Sequence, residues 1–316
     1  MGISSENRIW LRRLFGEGVW FDEPMHRHTS FHIGGPADAL VMPHDSTSLR
    51  ELVEGCGTKG IPYFILGKGT NLLVKDKGIR GIVILLKKCL NKITVSEIPG
   101  GACRVSAMAG VNLQRLCRFA IKKGLAGLNF AMGIPGSVGG AIAMNAGTAD
   151  GAMGDVLESL DVLFPSGKNE RLLRDRLFFS YRHFSIQSEV KAVEKAKPVI
   201  LEGHFLLTSS DSELLKEDAE KKMKQRKATQ PMDQHSPGCV FKNPEPGLSA
   251  GKLIDEAGLK GFRIGDAEIS TRHGNYIINR GSAKAADVLE LMQKIEDKVY
   301  EQHRVKLEPE IIFAGE

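Results

Sequence analysis

Long apolar runs, aromatic residues and paired cysteines are scarce in this chain of 316 residues. The longest aliphatic run, near 81–86, is far too short to cross a bilayer. The five cysteines are odd in number and form no C-x-x-C pair, which argues against a disulfide framework and a structural zinc site. Aromatic residues make up 6% of the chain and no basic stripe interleaves with them, which argues against a nucleic-acid partner.

The N-terminus also lacks a secretory pattern, because charged residues interrupt its apolar positions (Glu6, Arg12, Arg13 and Glu17). We therefore expect a cytoplasmic protein without a membrane partner, as a monomer or weak oligomer. The net charge of +5 suits an anionic small ligand as well as nucleic acid. Four cysteines lie in strand-like or helical stretches and are expected to be buried small hydrophobes (Cys56, Cys89, Cys103 and Cys117).

What is abundant is glycine, concentrated in residues 133–147, which read GIPGSVGGAIAMNAG. Glycine at this density costs conformational entropy, so we expect the backbone there to approach a ligand closely. The most common such ligand carries phosphate, bound by peptide N–H groups. The spacing matches neither the P-loop nor the G-x-G-x-x-G pattern. A glycine-rich connector is the alternative.

A second glycine turn, 67–72, follows a strand predicted at 61–66 and reads Gly67-Lys68-Gly69-Thr70-Asn71-Leu72. Thr70 and Asn71 add side-chain donors to its backbone donors. A tight turn would explain a lone G-x-G about as well. Two donor loops on adjacent units, however, suit a dinucleotide lying between them.

The hydrophobic periodicity predicts a mixed α/β (α+β) chain. Helices are predicted within 1–25 and at 46–57, 111–123, 211–227, 250–257 and 283–302, and extended segments at 39–42, 61–66, 82–86, 103–109, 160–164, 172–173, 199–207, 276–278 and 310–313. The last helix should bury Ala285, Val288, Leu289, Met292, Ile295 and Val299. We expect one domain over 1–210, with subdomains at about 26–95 and 96–210, and a second over 211–316, whose last strand returns to the N-terminal unit.

Further motifs follow in order along residues 28–316. They are TSFHIGGPA at 29–37, the two glycine segments, Tyr181-Arg182, GCVFKNP at 238–244, AGKLI at 250–254, Arg272-His273 and LEPE at 307–310. Together these motifs closely resemble the UDP-N-acetylenolpyruvoylglucosamine reductase (MurB) family. The chain is similar to the shorter, second form of that family, because no tyrosine stands between Arg182 and Tyr276 and the family's tyrosine-bearing lid insertion is therefore missing.

The resemblance implies an FAD-binding domain of the p-cresol methylhydroxylase type, made of two α/β subdomains, and a C-terminal α/β substrate-binding domain. It implies non-covalent FAD, NADPH as co-substrate, and reduction of the enolpyruvyl ether of UDP-N-acetylglucosamine to UDP-N-acetylmuramate for peptidoglycan synthesis. The cofactor-binding residues it indicates are Gly67, Lys68, Gly69, Thr70, Asn71, Leu72, Gly133, Ile134, Pro135, Gly136, Ser137, Gly139, Gly140, Asn145, Gly147 and Val199.

By the same resemblance, Arg182 binds the substrate carboxylate and Glu310 is its acidic partner. Cys239 stands where most members have a serine that donates the proton, and a thiol is a stronger acid than an alcohol. The substrate-binding candidates are Arg226, Gln230, Lys242, Asn243, Lys252 and His273. Taken singly, Arg182 would be read as a surface charge, Glu310 as a strand-end carboxylate and Cys239 as a small buried residue.

Two other functions stay open at this point. One is another flavin oxidase or dehydrogenase of the same fold, although the glycine segment has no histidine for covalent attachment of FAD. The other is a non-catalytic UDP-sugar or nucleic-acid binder. No metal is expected, because the spacing of His26, His28 and His32 fits neither a helical nor a tetrahedral site.

Overall fold

The computed structural model of the protein describes residues 2–99, 101–187, 198–245 and 247–316. The helices are α1 (Ser5–Phe15), α2 (Ser46–Lys59), α3 (Leu113–Lys122), α4 (Val138–Ala143), α5 (Met153–Val156), α6 (Ser212–Thr229), α7 (Ala250–Glu256) and α8 (Ala285–His303). The strands are β1 (Val19–Pro24), β2 (Pro36–Val41), β3 (Tyr63–Leu66), β4 (Leu72–Val74), β5 (Ile79–Leu85), β6 (Ile93–Glu97), β7 (Ala102–Met108), β8 (Leu125–Ala126), β9 (Gly147–Thr148), β10 (Gly151–Ala152), β11 (Leu157–Leu163), β12 (Asn169–Leu173), β13 (Leu177–Ser180), β14 (His183–Ile186), β15 (Val199–Ser209), β16 (Arg263–Ile264), β17 (Ala267–Ile269), β18 (Ile277–Asn279) and β19 (Ile312–Ala314).

The first sheet contains the predicted β-α-β unit. Its order is β1-β2-β5-β3, with β1 antiparallel to β2 and the other pairs parallel. Helix α2 connects β2 to β3 and is capped by the preceding residue, Asp45, whose carboxylate accepts a hydrogen bond from the Ser48 N–H. Leu49 and Leu52 of α2 pack with Leu11 of α1 in one core cluster. The first helix thus covers this sheet, and β1, which the periodicity did not predict, extends it.

The second sheet is antiparallel, in the order β12-β11-β15-β7-β6, with β8 also pairing with β15. Helix α3 buries the face that its 3.6-residue period predicts, namely Leu113, Leu116, Cys117 and Ala120. The glycine segment contains a short helix, α4, which the sequence did not reveal. Ser137 caps it by accepting a hydrogen bond from the Gly140 N–H at 3.3 Å.

The third unit packs α7 and α8 against the antiparallel sheet β16-β17-β18. The buried face of α8 consists of Ala285, Val288, Leu291, Met292, Ile295 and Val299. The expectation for Leu289 was wrong, because its side chain is 36% exposed while Leu291 is fully buried. Successive helical residues are about 100° apart, so Leu289 lies just beyond the edge of the face that Val288 and Met292 define.

The C-terminal strand and the N-terminal segment 29–33 join the first unit to the third. Strand β19 pairs in parallel with β4, placing Ile312 opposite Leu72. Phe31 and Ile33 of the TSFHIGGPA motif are buried in the same core as α7 and α8. The Ser30 hydroxyl donates to the Ser236 carbonyl at 2.7 Å. The segment 29–33 therefore connects the first unit to the third.

None of the helices in the described ranges combines the length and the apolar character that crossing a membrane requires. All five cysteines are free thiols. Cys56 and Cys117 are buried as expected, whereas Cys89 and Cys103 are only partly buried. The expectation of four buried cysteines therefore holds for two of them.

Candidate active site

The two glycine segments meet at one wall of a large cavity. The Thr70 hydroxyl donates to the Pro135 carbonyl at 3.3 Å, which joins the turn at 67–72 to the segment at 133–147. The cavity has a volume of about 1690 Å³. Its wall includes eight of the residues predicted to bind a cofactor, Gly67, Lys68, Thr70, Pro135, Gly136, Ser137, Gly139 and Gly140.

Gly69 shows why the turn needs glycine. Its φ is +61°, and a Cβ there would lie 2.3 Å from the His28 carbonyl oxygen. The Gly69 carbonyl in turn accepts the Ser30 N–H at 3.0 Å. The turn is therefore pressed against the segment 28–30, whose Thr29 and Ser30 also line the cavity.

The other residues predicted to contact the cofactor have contacts of their own. The Asn71 amide donates to the Glu310 carbonyl at 3.2 Å. Leu72 and Val199 are buried in the core, and Ile200, the neighbour of Val199, lines the cavity. Gly133 donates its N–H to Gln114, whose amide donates to the Ile134 carbonyl at 2.7 Å.

Asn145 and Gly147 link the glycine segment to the loop that carries Arg182. The Asn145 amide donates to the Ser180 carbonyl at 3.0 Å and its oxygen accepts the Gly154 N–H at 2.9 Å. The Gly147 carbonyl accepts a hydrogen bond from the Arg182 guanidinium at 3.2 Å. These two residues therefore connect the cavity wall to Arg182.

A dinucleotide fits this cavity. Its volume exceeds the roughly 300–1,000 Å³ of ordinary small-molecule sites, and its wall combines the glycine loops with Thr70, Ser137 and Asn112. Apolar residues from β3, including Phe64 and Ile65, supply a surface for a flat ring system. The residues present therefore match what an FAD molecule requires.

A second group of side chains, the charged cluster, consists of Arg182, Glu310, Cys239, Tyr276 and Arg226. Arg182 lies at the tip of the β13–β14 hairpin, with a φ of +55°. Its Nε atom lies 2.5 Å from Oε1 of Glu310, and the two side chains are 21% and 12% exposed. Arg226 lies close enough to Cys239 and Tyr276 for their charges to raise its pKa.

Backbone pairing brings two of the three catalytic candidates, Cys239 and Glu310, together. The Glu310 N–H donates to the Val240 carbonyl at 2.7 Å. The segment that carries Cys239 also pairs with Asn275. The Val240 N–H donates to the Asn275 carbonyl at 2.9 Å. Asn275 also accepts from the Phe241 N–H at 2.9 Å and donates to the Phe241 carbonyl at 2.7 Å. Cys239 is thereby fixed between Glu310 and Tyr276.

Burial is the largest cause of the pKa shifts in the charged cluster. The pKa of the Cys239 thiol is raised to about 12: burial is the largest cause and the negative charge of Glu310 acts in the same direction, while Tyr276, Arg182 and Arg226 oppose the rise. Burial likewise raises the pKa of Glu310, against the opposing effects of Arg182 and Lys242. Both groups are therefore biased towards their protonated forms, as proton donors require.

Arg226 joins the glycine segment to the charged cluster. A Cβ at Gly133, whose φ is +82°, would lie 2.6 Å from the Cδ atom of Arg226, so the arginine stem lies directly on the glycine. Burial lowers the pKa of Arg226, and the nearby Tyr276 and Cys239 act in the opposite direction. A desolvated guanidinium in this position favours an anion.

The remaining substrate candidates divide into two groups. Lys242 reaches the carboxylate of Glu308 at 3.2 Å and also acts on Glu310, so it adjoins the charged cluster. The His273 ring contacts the Tyr276 ring edge-on, with centroids 4.9 Å apart. Lys252, by contrast, has a 73% exposed side chain 3.7 Å from Glu256.

Gln230 and Asn243 have structural partners. The Gln230 carbonyl accepts from the Arg272 guanidinium at 3.1 Å. The Asn243 side chain accepts the Ala250 N–H at 3.1 Å, next to the start of α7. These contacts give both residues a role in ordering the loops around the charged cluster.

His28 and His32, which were considered as metal ligands, each contact another side chain. His28 lies 2.9 Å from Glu23, and His32 stacks on His235 with ring centroids 3.8 Å apart. Within the described ranges, the side chains close enough to share a metal ion are Asp161, Glu202 and His204. There Arg171 already binds Asp161 at 2.6 and 2.8 Å, supplying the positive charge that a metal would otherwise bring.

Sequence reasoning missed Tyr276 and Asn275. Both stand just after the Arg272-His273 motif, so their proximity to a recognised motif was the available signal. Their importance depends on pairing with the segment at 239–241, which lies far away in the chain.

Known proteins resemble this chain over most of its length. The family model of the UDP-N-acetylenolpyruvoylglucosamine reductase C-terminal domain matches residues 230–314, and that of an FAD binding domain matches residues 37–172. The UDP-N-acetylenolpyruvoylglucosamine reductase of Desulfosudis oleivorans is 48% identical over 98% of this chain and 98% of its own. That of Heliobacterium modesticaldum is 42% identical over 95% of this chain and 92% of its own. The chain belongs to the UDP-N-acetylenolpyruvoylglucosamine reductase family.

A solved structure of this reductase family, the MurB of Thermus caldophilus, matches with a TM-score of 0.76 and 36% identity, covering 94% of this chain and 98% of that one. The expected fold class, an FAD-binding domain of the p-cresol methylhydroxylase type followed by a C-terminal domain, is therefore confirmed. The protein is an FAD-dependent oxidoreductase of this family.

Proposed function

We propose that the protein reduces the enolpyruvyl ether of UDP-N-acetylglucosamine to UDP-N-acetylmuramate, with NADPH as reductant, in cytoplasmic peptidoglycan precursor synthesis. The observation that supports this most is that three members of the charged cluster, an arginine, a carboxyl group and a thiol, come from different segments and lie together beside a dinucleotide-sized cavity. FAD, when bound and reduced, supplies the hydride for the terminal carbon of the enolpyruvyl double bond.

Arg182 binds the carboxylate of the enolpyruvyl group. Its guanidinium has five N–H donors, and the contacts to Glu310 and Gly147 engage its Nε and Nη1 atoms. The remaining donors allow a planar, charge-assisted grip on a carboxylate. This grip stabilises the negative charge that develops when hydride arrives at the neighbouring double bond.

Glu310 acts as the acidic partner of Arg182. When the substrate carboxylate binds Arg182, it competes with Glu310 for the positive charge and adds a negative charge nearby. Both effects favour the protonated form of Glu310, whose pKa burial already raises. The protonated carboxyl group then donates a hydrogen bond to the developing enolate.

Cys239 donates the proton that completes the reduction. Its thiol remains protonated at neutral pH because its pKa is raised to about 12. The proton passes from Sγ to the substrate carbon that bears the carboxylate, and the C=C bond becomes a single bond. The thiolate that remains is the conjugate base, and it recovers a proton from solvent before the next turnover.

The nucleotide end of the substrate requires cations. Arg226 belongs to the charged cluster, and Lys242 and His273 adjoin it. We assign these three residues to the substrate, with Gln230, Asn243 and Lys252 at its periphery. We assign residues 1–210 to FAD binding and 211–316 to substrate binding. The chain represents the shorter form of the family, without the tyrosine-bearing lid.

The test uses the purified protein. Its absorbance spectrum should show bound flavin, and acid precipitation should release the colour because attachment is non-covalent. NADPH should bleach the flavin, and addition of the enolpyruvyl substrate should restore the oxidised spectrum in a single turnover. A colourless protein, or a reduced flavin that the substrate fails to reoxidise, would contradict the proposal.

A further inference from the structure

Tyr276 and Cys239 are direct neighbours across an antiparallel bridge. Residues that face one another in this way project their side chains on the same side, with Cβ atoms about 4.5–5.5 Å apart. The hydrogen bonds between Asn275 and residues 240 and 241 fix the register of this bridge. The backbone thereby keeps the two residues as neighbours on one face.

The Tyr276 hydroxyl is a donor in this pair. The side chain is 8% exposed, and burial raises its pKa, followed by the negative charge of an ionised Cys239, so the phenol keeps its proton. Hydrogen bonding from Tyr276 lowers the pKa of Cys239, against burial and Glu310. With its proton kept, the phenol O–H is available to donate to the sulfur atom across the bridge.

Cys239 is partly buried and largely desolvated, so a thiol that gives up its proton here leaves a poorly hydrated thiolate, and an unpaired charge in such a place is costly. Three groups favour the thiolate, namely Tyr276, Arg182 and Arg226. The two arginines face the anionic substrate, whose negative charges compensate them once it is bound. The neutral phenol is not compensated in this way, and it continues to donate to sulfur when the proton is transferred.

We propose that Tyr276 is a positioning residue for Cys239: its hydroxyl orients the sulfur so that the S–H points away from the tyrosine, and it stabilises the thiolate formed when the substrate is protonated. This inference rests on the proposed function, because it assigns the proton to Cys239. The chemical step that Tyr276 affects is this proton transfer.

Tyr276→Phe isolates the hydroxyl, since the ring and its edge-on contact with His273 are kept. We expect NADPH to reduce the flavin of this variant at the normal rate. Substrate reduction in a single turnover should slow about 10- to 100-fold, the range for losing a hydrogen bond to a charged group. The solvent deuterium isotope effect on that step should increase, because proton transfer becomes the slow event. Tyr300→Phe, on the exposed side of α8, is the matched control and should behave as wild type.

Two further measurements separate positioning from a merely structural role. In the Cys239→Ala background, Tyr276→Phe should cause no additional slowing, since the residue acts through the thiol. In the wild-type background, Tyr276→Phe should slow alkylation of Cys239 by iodoacetamide at a fixed pH, because the thiolate fraction falls. Local unfolding would instead expose the thiol and accelerate alkylation.

An unchanged single-turnover rate in Tyr276→Phe, additive slowing with Cys239→Ala, or faster alkylation would each overturn the role of Tyr276. A wild-type protein that fails to reduce the enolpyruvyl substrate would overturn the proposed function itself and this inference with it. The two failures are distinguishable because the first leaves wild-type turnover intact.

Discussion

The Nε atom of Arg182 lies 2.5 Å from Oε1 of Glu310, although 128 residues separate them in the chain. Arg182 occupies the tip of a hairpin, and Glu310 precedes the strand that pairs with β4. The contact holds together the group that we propose to bind the substrate carboxylate and its proposed acidic partner. In the proposed mechanism, substrate binding weakens this ion pair and thereby couples recognition of the carboxylate to protonation of Glu310.

This coupling predicts a pH dependence. Burial raises the pKa of Glu310, and the protonated form is the active one, so the rate of substrate reduction should fall as pH rises through that pKa. Glu310→Gln cannot titrate, yet it keeps an N–H donor, so its slower reaction should be independent of pH over the same interval. Single-turnover reoxidation of the flavin between pH 5 and 9 measures both profiles.

Glu308→Gln is the control for that experiment. Glu308 lies two residues away, its side chain is 74% exposed, and it pairs with Lys242. Its variant should retain the wild-type profile. If Glu310→Gln and the wild-type protein lose activity along the same curve, the titrating group is another residue.

Substitutions at Gly69 and Gly60 separate two effects of adding a side chain. One is the close contact of the cofactor turn with its neighbours, and the other is the strain of a left-handed backbone. Their φ angles are +61° and +63°, but a Cβ at Gly69 meets the His28 carbonyl at 2.3 Å whereas one at Gly60 meets nothing within 4 Å. Gly60→Ala should cost about 1–2 kcal/mol of unfolding free energy, the price of the left-handed conformation alone.

Gly69→Ala should cost more than Gly60→Ala and should also weaken FAD binding, because the turn must move away from the segment 28–30. Urea unfolding and fluorescence titration with FAD give the two quantities. Equal effects of the two substitutions on stability would show that the contact with His28 is not tight.

Much of the fold follows from local pattern. The 3.6-residue period locates α2, α3 and α8, because each buries one continuous stripe. Short elements such as α4 and the β13–β14 hairpin escaped prediction, since a few residues carry too little periodicity. Leu289 and Leu291 show the limit even in a long helix, because both are leucines near the stripe and only packing decides between them.

In the candidate site too, some features follow from local sequence and others depend on contacts between remote segments. Arg182, Cys239 and Glu310 were identified from motifs, each with its own local sequence. Their mutual contacts and the role of Tyr276 depend on pairing between segments that are remote in the chain, which no local pattern encodes. Asn71 illustrates the difference, because the sequence suggests a cofactor donor and the structure shows its amide on the Glu310 carbonyl.

The two leucines of α8 yield a stability prediction. Leu291→Ala should lower the free energy of unfolding by about 2–5 kcal/mol, because it leaves a cavity in a packed core. Leu289→Ala should change it by less than about 1 kcal/mol, since a third of that side chain is already in solvent. The pair is matched in helix propensity, and urea unfolding measures both. Equal losses would place Leu289 in the core after all.

Cys239 gives the most specific prediction. Cys239→Ser should retain substrate reduction, because a hydroxyl can occupy the same place between Glu310 and Tyr276 and donate its proton. Cys239→Ala should keep NADPH-driven reduction of the flavin but lose about 10²- to 10⁴-fold in substrate reduction, the usual contribution of a general acid. Cys103→Ala, a partly buried thiol on β7, is the control and should leave both half-reactions unchanged.

The raised pKa of Cys239 adds a second expectation about this residue. Because the thiolate is the form that oxidants attack, a thiol with a pKa of about 12 should resist hydrogen peroxide at neutral pH, even beside a flavin. Mass spectrometry after peroxide treatment should find Cys239 unmodified, and activity should persist. Rapid formation of a sulfenic acid at Cys239 would show that its pKa is not raised. In the substitution experiment, full turnover by Cys239→Ala would exclude the thiol from the mechanism.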